Sequence, residues 1–352
     1  MRFAFSEDQA AIHDAVDSFL TSISTSGGTR LAMDDGTGLD QPLWHAMASE
    51  LGLTGTIIPE SFGGSELGAV ETAIICEALG YQVAAVPWLA SAVIATHAIA
   101  RGGSDAQRSE WLPRLAEGNA ILSFADKGFS CQNGLVSGTS RFVPQGCSAE
   151  AIIVHADNRV YLVPTDTEYC LMSPQTSLDQ TRPLAKLTLD HAKAELLAAV
   201  GWDEIEPLAW TAIAADALGG AQACLDQSVA YVGERVQFGR VIGSFQAVKH
   251  KLADMLIGLE QARSAVYWAA GEIDSDGDDA RLASHAAKSF ACETYAECAG
   301  HAIQLLGGIG FTWEHDAHLY FKRARANLSM MGAPSWHREQ IAKLILPEDL
   351  CA

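Results

Sequence analysis

The sequence is poor in several features that would have pointed elsewhere. Its 352 residues include eight cysteines, but none stands in a CxxC pair, so the spacing indicates neither a zinc site nor a disulfide framework. Positive charge is scarce. There are 23 Lys and Arg against 43 Asp and Glu, a formal net charge of −20, which argues against a nucleic-acid backbone or an anionic membrane surface as main partner. An anionic ligand would therefore need a local group of basic residues. The most apolar stretch, VAAVPWLASAVIATHAIA, is broken by Pro87 and carries His97, so it reads as buried helix rather than a membrane span. The opening MRFAFSEDQAAIHDAVDSFL lacks the basic head, apolar run and cleavage site of a signal peptide. These features lead us to expect a cytoplasmic chain. There is no internal repeat or low-complexity segment.

What is present changes in texture along the chain. From Phe5 to about Gly118, apolar residues recur at three and four, as in LWHAMASELGLTG and ETAIICEALG, between turns such as PESFGG. Ser6 and Gln9 form a capping-box pattern. From about Asn119 to Val200, AIIVHA, RVYLVPT and AKLTLD read as strands, and CQNGLVSG carries the Asn-Gly of a tight hairpin. Beyond Trp202 the spacing predicts helices over Leu208–Gly233, Phe245–Ile273 and Asp279–Leu306, the first with a stripe of Leu218, Leu225, Val229 and Val232. The order is α, β, α.

Two stretches could carry chemistry. In ERVQFGRVIGSFQAVKH, Arg235 could grip a pyrophosphate at a helix end while Phe238 lies against a flat ring. Taken alone, the pair reads more readily as a surface salt bridge beside a core phenylalanine. In QLLGGIGFTWEHDAHLYFKRAR, Gln304 and the Gly307–Gly308 amides could face a ligand, or the glycines could simply cap a helix.

Together, the R-x-Q-F-G at Arg235, Gln246 eleven residues on, and the Q-x-x-G-G-x-G-F from Gln304 resemble the acyl-CoA dehydrogenase family. SEDQAAIHDAVDSFL, LGLTGTIIPESFGGSELGAVETAIICEALG and WLPRLAEGNA resemble its N-terminal domain, so the likeness covers nearly the whole chain. It implies a mainly α fold with a small β domain: an N-terminal helical domain over 1–118, a middle β-barrel-like domain over 119–200 and a C-terminal four-helix bundle over 201–352. It also implies an FAD-dependent oxidoreductase of lipid metabolism that desaturates an acyl-CoA thioester and passes electrons to an electron-transfer flavoprotein. In that family the flavin lies between subunits. The positions matching Arg235, Gln237, Phe238, Phe245, Gln246, Gln304, Leu305, Gly307 and Gly308 contact the ADP half of an FAD bound mainly to the neighbour. A carboxylate removes the α-proton while hydride leaves the β-carbon.

The chain departs from that pattern where the base belongs. Met331 and Ala209 occupy the two usual positions, and neither side chain can accept a proton. Asp216 and Glu206 are weak substitutes, the first two helical turns past Ala209 and the second expected just ahead of its helix; Glu314 is expected in a turn. No metal ligands are expected. LSFADKGFSCQNG lacks the family's flavin- and thioester-binding loop pattern, and SRFVPQGC lacks the tryptophan of the element that covers the flavin. The chain thus resembles the short, base-lacking subunit of the α2β2 bacterial acyl-CoA dehydrogenases of steroid side-chain degradation, which implies a longer homologue as second subunit. The rival readings are a self-sufficient homo-oligomeric dehydrogenase with a non-standard base and a flavin-free scaffold subunit.

Overall fold

The computed structural model describes residues 5 to 346. In chain order the helices and strands are α1 (Glu7–Ile23), α2 (Ser26–Asp34), α3 (Gln41–Ser49), α4 (Ala69–Tyr81), a π-helical segment Trp88–Ala95, α5 (Thr96–Gly102) and α6 (Asp105–Ala116). The strands β1 (Leu122–Gln132), β2 (Leu135–Pro144), β3 (Ala151–Ala156), β4 (Arg159–Pro164), β5 (Cys170–Gln175), β6 (Leu184–Lys193) and β7 (Glu195–Leu196) follow. Then come α7 (Trp202–Glu234), β8 (Val236–Gln237), β9 (Arg240–Val241), α8 (Gln246–Asp274), α9 (Ala280–Leu306), α10 (Ala317–Ser329) and α11 (Pro334–Ile345).

These elements form two compact units. One comprises Gly27–Thr72 and Ala85–Ala209. Its seven strands run in the order β5-β6-β2-β1-β3-β4-β7. The β1–β2 hairpin turns at Asn133 and Gly134, both at positive φ (54° and 78°), as the Asn-Gly signal predicts. β1 pairs in parallel with β3 over Leu122–Ala125 and antiparallel with β2 over Phe129–Gln132, with its register shifting between Ala125 and Phe129. The ladder is open, because its ends, β5 and β7, do not pair with each other. The stretch across Pro87 is buried throughout Trp88–Ala95, consistent with buried helix, although its first turns are π-helical.

The other unit comprises the chain up to Ser26, Ala73–Ala84 and the chain from Trp210 onward. Ser6 caps α1 reciprocally with Gln9, the capping box read from the sequence. α7 is rich in alanine and packs closely on its neighbours. A Cβ at Gly219 would fall 1.8 Å from the Glu77 carbonyl oxygen, and one at Gly220 would fall 2.2 Å from the Tyr295 ring, so glycine is required where these helices meet. Some polar groups inside this packing are satisfied together. The Tyr267 hydroxyl donates to Glu77 at 2.6 Å, Arg263 pairs with the same carboxylate, and Arg323 donates to the Ala84 carbonyl at 2.9 Å.

Two expectations are corrected. α7 begins at Trp202 rather than Leu208, so Glu206 lies inside the helix and not ahead of it. The helix opens with Asp203 and Glu204, which favour a helix N-terminus, and the Glu204 carboxylate accepts from the Gly201 N–H at 2.8 Å. Leu218, Leu225 and Val232 are buried, but Val229 is 49% exposed. The stripe is therefore interrupted near its end. α7 is long and apolar enough by composition to span a membrane, yet 94% of its most apolar window is buried inside the protein.

Candidate functional site

The first group sits where α7 ends. Arg235 is exposed and makes no side-chain ion pair among the described residues. Its carbonyl accepts from the Ile242 N–H at 2.8 Å, closing the small β8–β9 ladder. The two-residue tip is Phe238–Gly239, with φ of 54° and 78°, the left-handed pair of a type I′ turn. Asparagine ordinarily takes the first of these positions, because a left-handed L-residue costs about 1–2 kcal/mol. Here it is a phenylalanine whose residue surface is 90% exposed. The core-phenylalanine alternative is thereby excluded. Phe245 stands edge-on to Phe238 with centroids 6.1 Å apart, and the Arg240 guanidinium lies 4.0 Å over the Phe245 ring. Gln237 is held to its own strand, donating to the Val236 carbonyl at 2.8 Å, while Gln246 meets His250 at 3.3 Å.

The second group is the end of α9. Gln304 is exposed and Leu305 half-buried. Gly307 caps the helix with φ 64° and ψ −134°, its N–H donating to the Ile303 carbonyl, a conformation that demands glycine. Gly308 differs: its φ is not positive, and a Cβ there would meet nothing within 4 Å. Phe311 and Trp313 follow, 79% and 62% exposed.

The antiparallel packing of α8 and α9 brings these groups to the same end. Lys251 Nζ meets His301 Nδ1 at 3.1 Å. Gln246 lies about 7.5 Å of helical rise before Lys251, and Gln304 about 4.5 Å beyond His301. The charge pattern marks the same place. Residues 235–253 contain Arg235, Arg240, Lys249 and Lys251 but no acid, and residues 298–313 contain no acid either. These runs were visible in the sequence and form a signal that motif spacing alone does not use.

The third group surrounds Met331, one of the two positions at which the sequence resemblance led us to expect a base. Ala209 is buried. Met331 is half-buried, with φ 50° in a turn continued by Gly332 at φ 111°. The Trp210 indole N–H donates to the Met331 carbonyl at 3.1 Å. Buried Lys288 donates to the carbonyls of Asn327 and Gly332 at 2.9 and 3.3 Å. Around them, the Trp210 and His285 rings pack at 4.2 Å, and His285 Nδ1 meets His337 Nδ1 at 2.8 Å. Burial, aided by Arg281, lowers the His285 pKa to about 4. Burial, aided by Lys288 and His285, lowers that of His337 to about 3. The pair is neutral, with one Nδ1 donating and the other accepting.

The weak base candidates are committed elsewhere or exposed. Asp216 is 2% exposed, accepts from Asn327 Nδ2 at 2.7 Å and lies 3.7 Å from Arg323 Nη1. Glu206 is half-buried and Glu314 exposed in a turn. In the β-rich unit, the SRFVPQGC stretch ends β2 with Phe142 60% exposed, while Gln145 donates to the Val86 carbonyl at 3.1 Å.

Residues 6–119 match the acyl-CoA dehydrogenase N-terminal domain and residues 210–346 the acyl-CoA dehydrogenase C-terminal domain. The chain belongs to the acyl-CoA dehydrogenase family of FAD-dependent oxidoreductases. Among its relatives, the acyl-CoA dehydrogenase IpdE2 of Mycolicibacterium smegmatis is 32% identical, with 96% of this chain and 98% of the relative aligned. FadE34 of Mycobacterium tuberculosis is 34% identical over 96% of this chain but only 48% of its own length. A chain of the ChsE4–ChsE5 complex from Mycobacterium tuberculosis superposes with a TM-score of 0.91 at 27% identity, covering 99% of this chain and 100% of the other. A chain of the Tcur3481–Tcur3483 steroid acyl-CoA dehydrogenase, a G363A variant, superposes with a TM-score of 0.90 at 28% identity, covering 96% and 98%.

The residues at the α8–α9 end suit the ADP half of FAD. Gly307 is needed to cap its helix, but Gly308 meets no requirement of its own chain; an absent side chain there leaves room for something else to approach. A cation, an exposed ring and two stretches of chain without acidic residues stand at the same end.

Proposed function

We propose that this chain is a subunit of a hetero-oligomeric, FAD-dependent acyl-CoA dehydrogenase, lending the ADP-contacting half of a flavin site whose catalytic base comes from a partner chain. Bound FAD supplies hydride acceptance in the α,β-desaturation of an acyl-CoA. This chain's part is to hold and orient. Arg235 pairs with the dinucleotide's phosphates, Phe238 and Phe245 offer rings, Gln237 and Gln246 stand beside them, and Gln304, Leu305, Gly307 and Gly308 bound the opposite side. The partner is a longer homologue, and an electron-transfer flavoprotein takes the electrons.

The observation that carries this reading is Phe238, an aromatic side chain in a left-handed turn position with 90% of its surface exposed. Backbone strain of this kind persists where a site uses it. The apolar Met331 and Ala209 support assigning the base to another chain, and the steroid enzymes among the structural neighbours support a bulky polycyclic acyl group. The test is FAD content per chain, purified alone and then co-expressed with a longer homologue that retains the base. Little flavin alone, and about one per pair of chains together, is the expected result. Full occupancy in the lone chain would overturn the shared-site reading and favour a self-sufficient homo-oligomer.

A further inference from the structure

We propose that Lys251 and His301 form a second cationic contact at the α8–α9 end, a clasp for the phosphate groups of the dinucleotide. This rests on the reading that the ADP half of FAD is held there. The two half-buried side chains come from neighbouring helices and meet nitrogen to nitrogen, Lys251 Nζ to His301 Nδ1 at 3.1 Å. An ammonium can only donate, so the imidazole nitrogen facing it accepts and its proton sits on Nε2. The pair therefore bears one positive charge and presents further N–H donors.

No carboxylate neutralises that charge at ion-pair distance among the described residues. In a chain of net charge −20, a lysine partnered only by another base needs a reason. The nearest acids on the two helices, Asp254 and Glu297, lie further from the shared end than Lys251 and His301 do, and none lies between the pair and that end. Asp254 and Glu297 both act electrostatically on His301, and both do so from the side away from Gln246 and Gln304, so it is towards these glutamines that the two helices leave the charge open to an anion. His301 and Gln304, three residues apart, share one face of α9, so a phosphate reached by Gln304 is also within the sweep of the clasp. A charged hydrogen bond from an ammonium to phosphate is among the stronger polar contacts available to a partly exposed site.

The test is isothermal titration of the full-length chain with ADP and, separately, with adenosine. Lys251→Met is expected to weaken ADP binding about five- to tenfold, a partly exposed charged contact being worth less than a buried one, and to leave adenosine unchanged. His301→Asp keeps the lysine but pairs it with a carboxylate, and is expected to weaken ADP similarly. Lys251→Arg should keep most of the affinity, and thermal melts should show all three variants folded. If Lys251→Met and His301→Asp bind ADP as the wild type does while Arg235→Ala does not, the clasp is wrong and the shared flavin site stands. Equal losses for ADP and adenosine would also overturn the clasp, because they would mark a structural role. A wild-type chain that binds no ADP at millimolar concentration would overturn the clasp alone, because the shared flavin site is decided by the FAD content of the assembled complex.

Discussion

Two places in the helical unit set aromatic rings beside cations and treat them in opposite ways. At the β8–β9 tip, Phe238 is 90% exposed and Arg235 has no ion-pair partner among the described residues. Around Met331, Trp210 is 1% exposed and His285, His337 and Lys288 are fully buried, with the Met331 and Gly332 carbonyls both accepting hydrogen bonds. One region spends strain to keep a ring outside; the other surrounds Met331 with a packed, buried cluster of rings and polar groups. On the proposed reading, what serves a neighbour stays open, and what would have served the chain's own chemistry has become core.

The largest effect is expected at Trp210. Trp210→Ala removes a buried ring and leaves the Met331 carbonyl without its donor, so a loss of about 3–5 kcal/mol is expected in chemical denaturation. A loss below about 1 kcal/mol would show that the cluster is not the core it resembles.

A middle-sized effect should come from acid. The pKa values of His285 and His337 fall from the usual 6.5 to about 4 and about 3 in the folded chain, where Arg281 and Lys288 add to the cost of charging them. The unfolded chain therefore takes up these protons first. The stabilising contribution is complete above pH 6.5 and is lost progressively as pH falls towards 4, and towards 3 for His337. The melting temperature between pH 7.5 and 4.5 should fall more steeply for the wild type than for a His285→Gln/His337→Gln double variant. Equal slopes would remove the pair from the account.

The smallest effect on stability sharpens the contrast. Phe238→Asn relieves the left-handed strain and should stabilise the lone chain by about 1 kcal/mol, while flavin content of the assembled complex falls. A variant that gains stability and keeps its flavin would leave the exposed ring unexplained.

Much of this was readable along the chain, because periodicity reports helices and turn chemistry reports hairpins. The Asn133–Gly134 turn and the long helices beyond Trp202 follow from local patterns. Val229 and Glu206 show the limit: a stripe does not say where burial stops, and Pro207 gave no sign that the helix would start ahead of it. Which faces meet is not local information. Trp210 reaches Met331 across 121 residues and His285 reaches His337 across 52, and no spacing rule connects either pair. Lys251 and His301 were equally silent until α8 and α9 were laid side by side. The acid-free runs around them were legible, but only as composition.

The β8–β9 hairpin has one further consequence. Each strand is two residues long, and a ladder so short has little stability of its own in water. It belongs to the part of the chain that opens at low cost. Arg235 and Arg240 bracket its tip, so on the proposed reading a copy without its partner presents two basic cleavage sites on a strand pair left exposed among the described residues. Limited proteolysis of the lone chain with trypsin is expected to cut there first, and a covered hairpin is expected to resist.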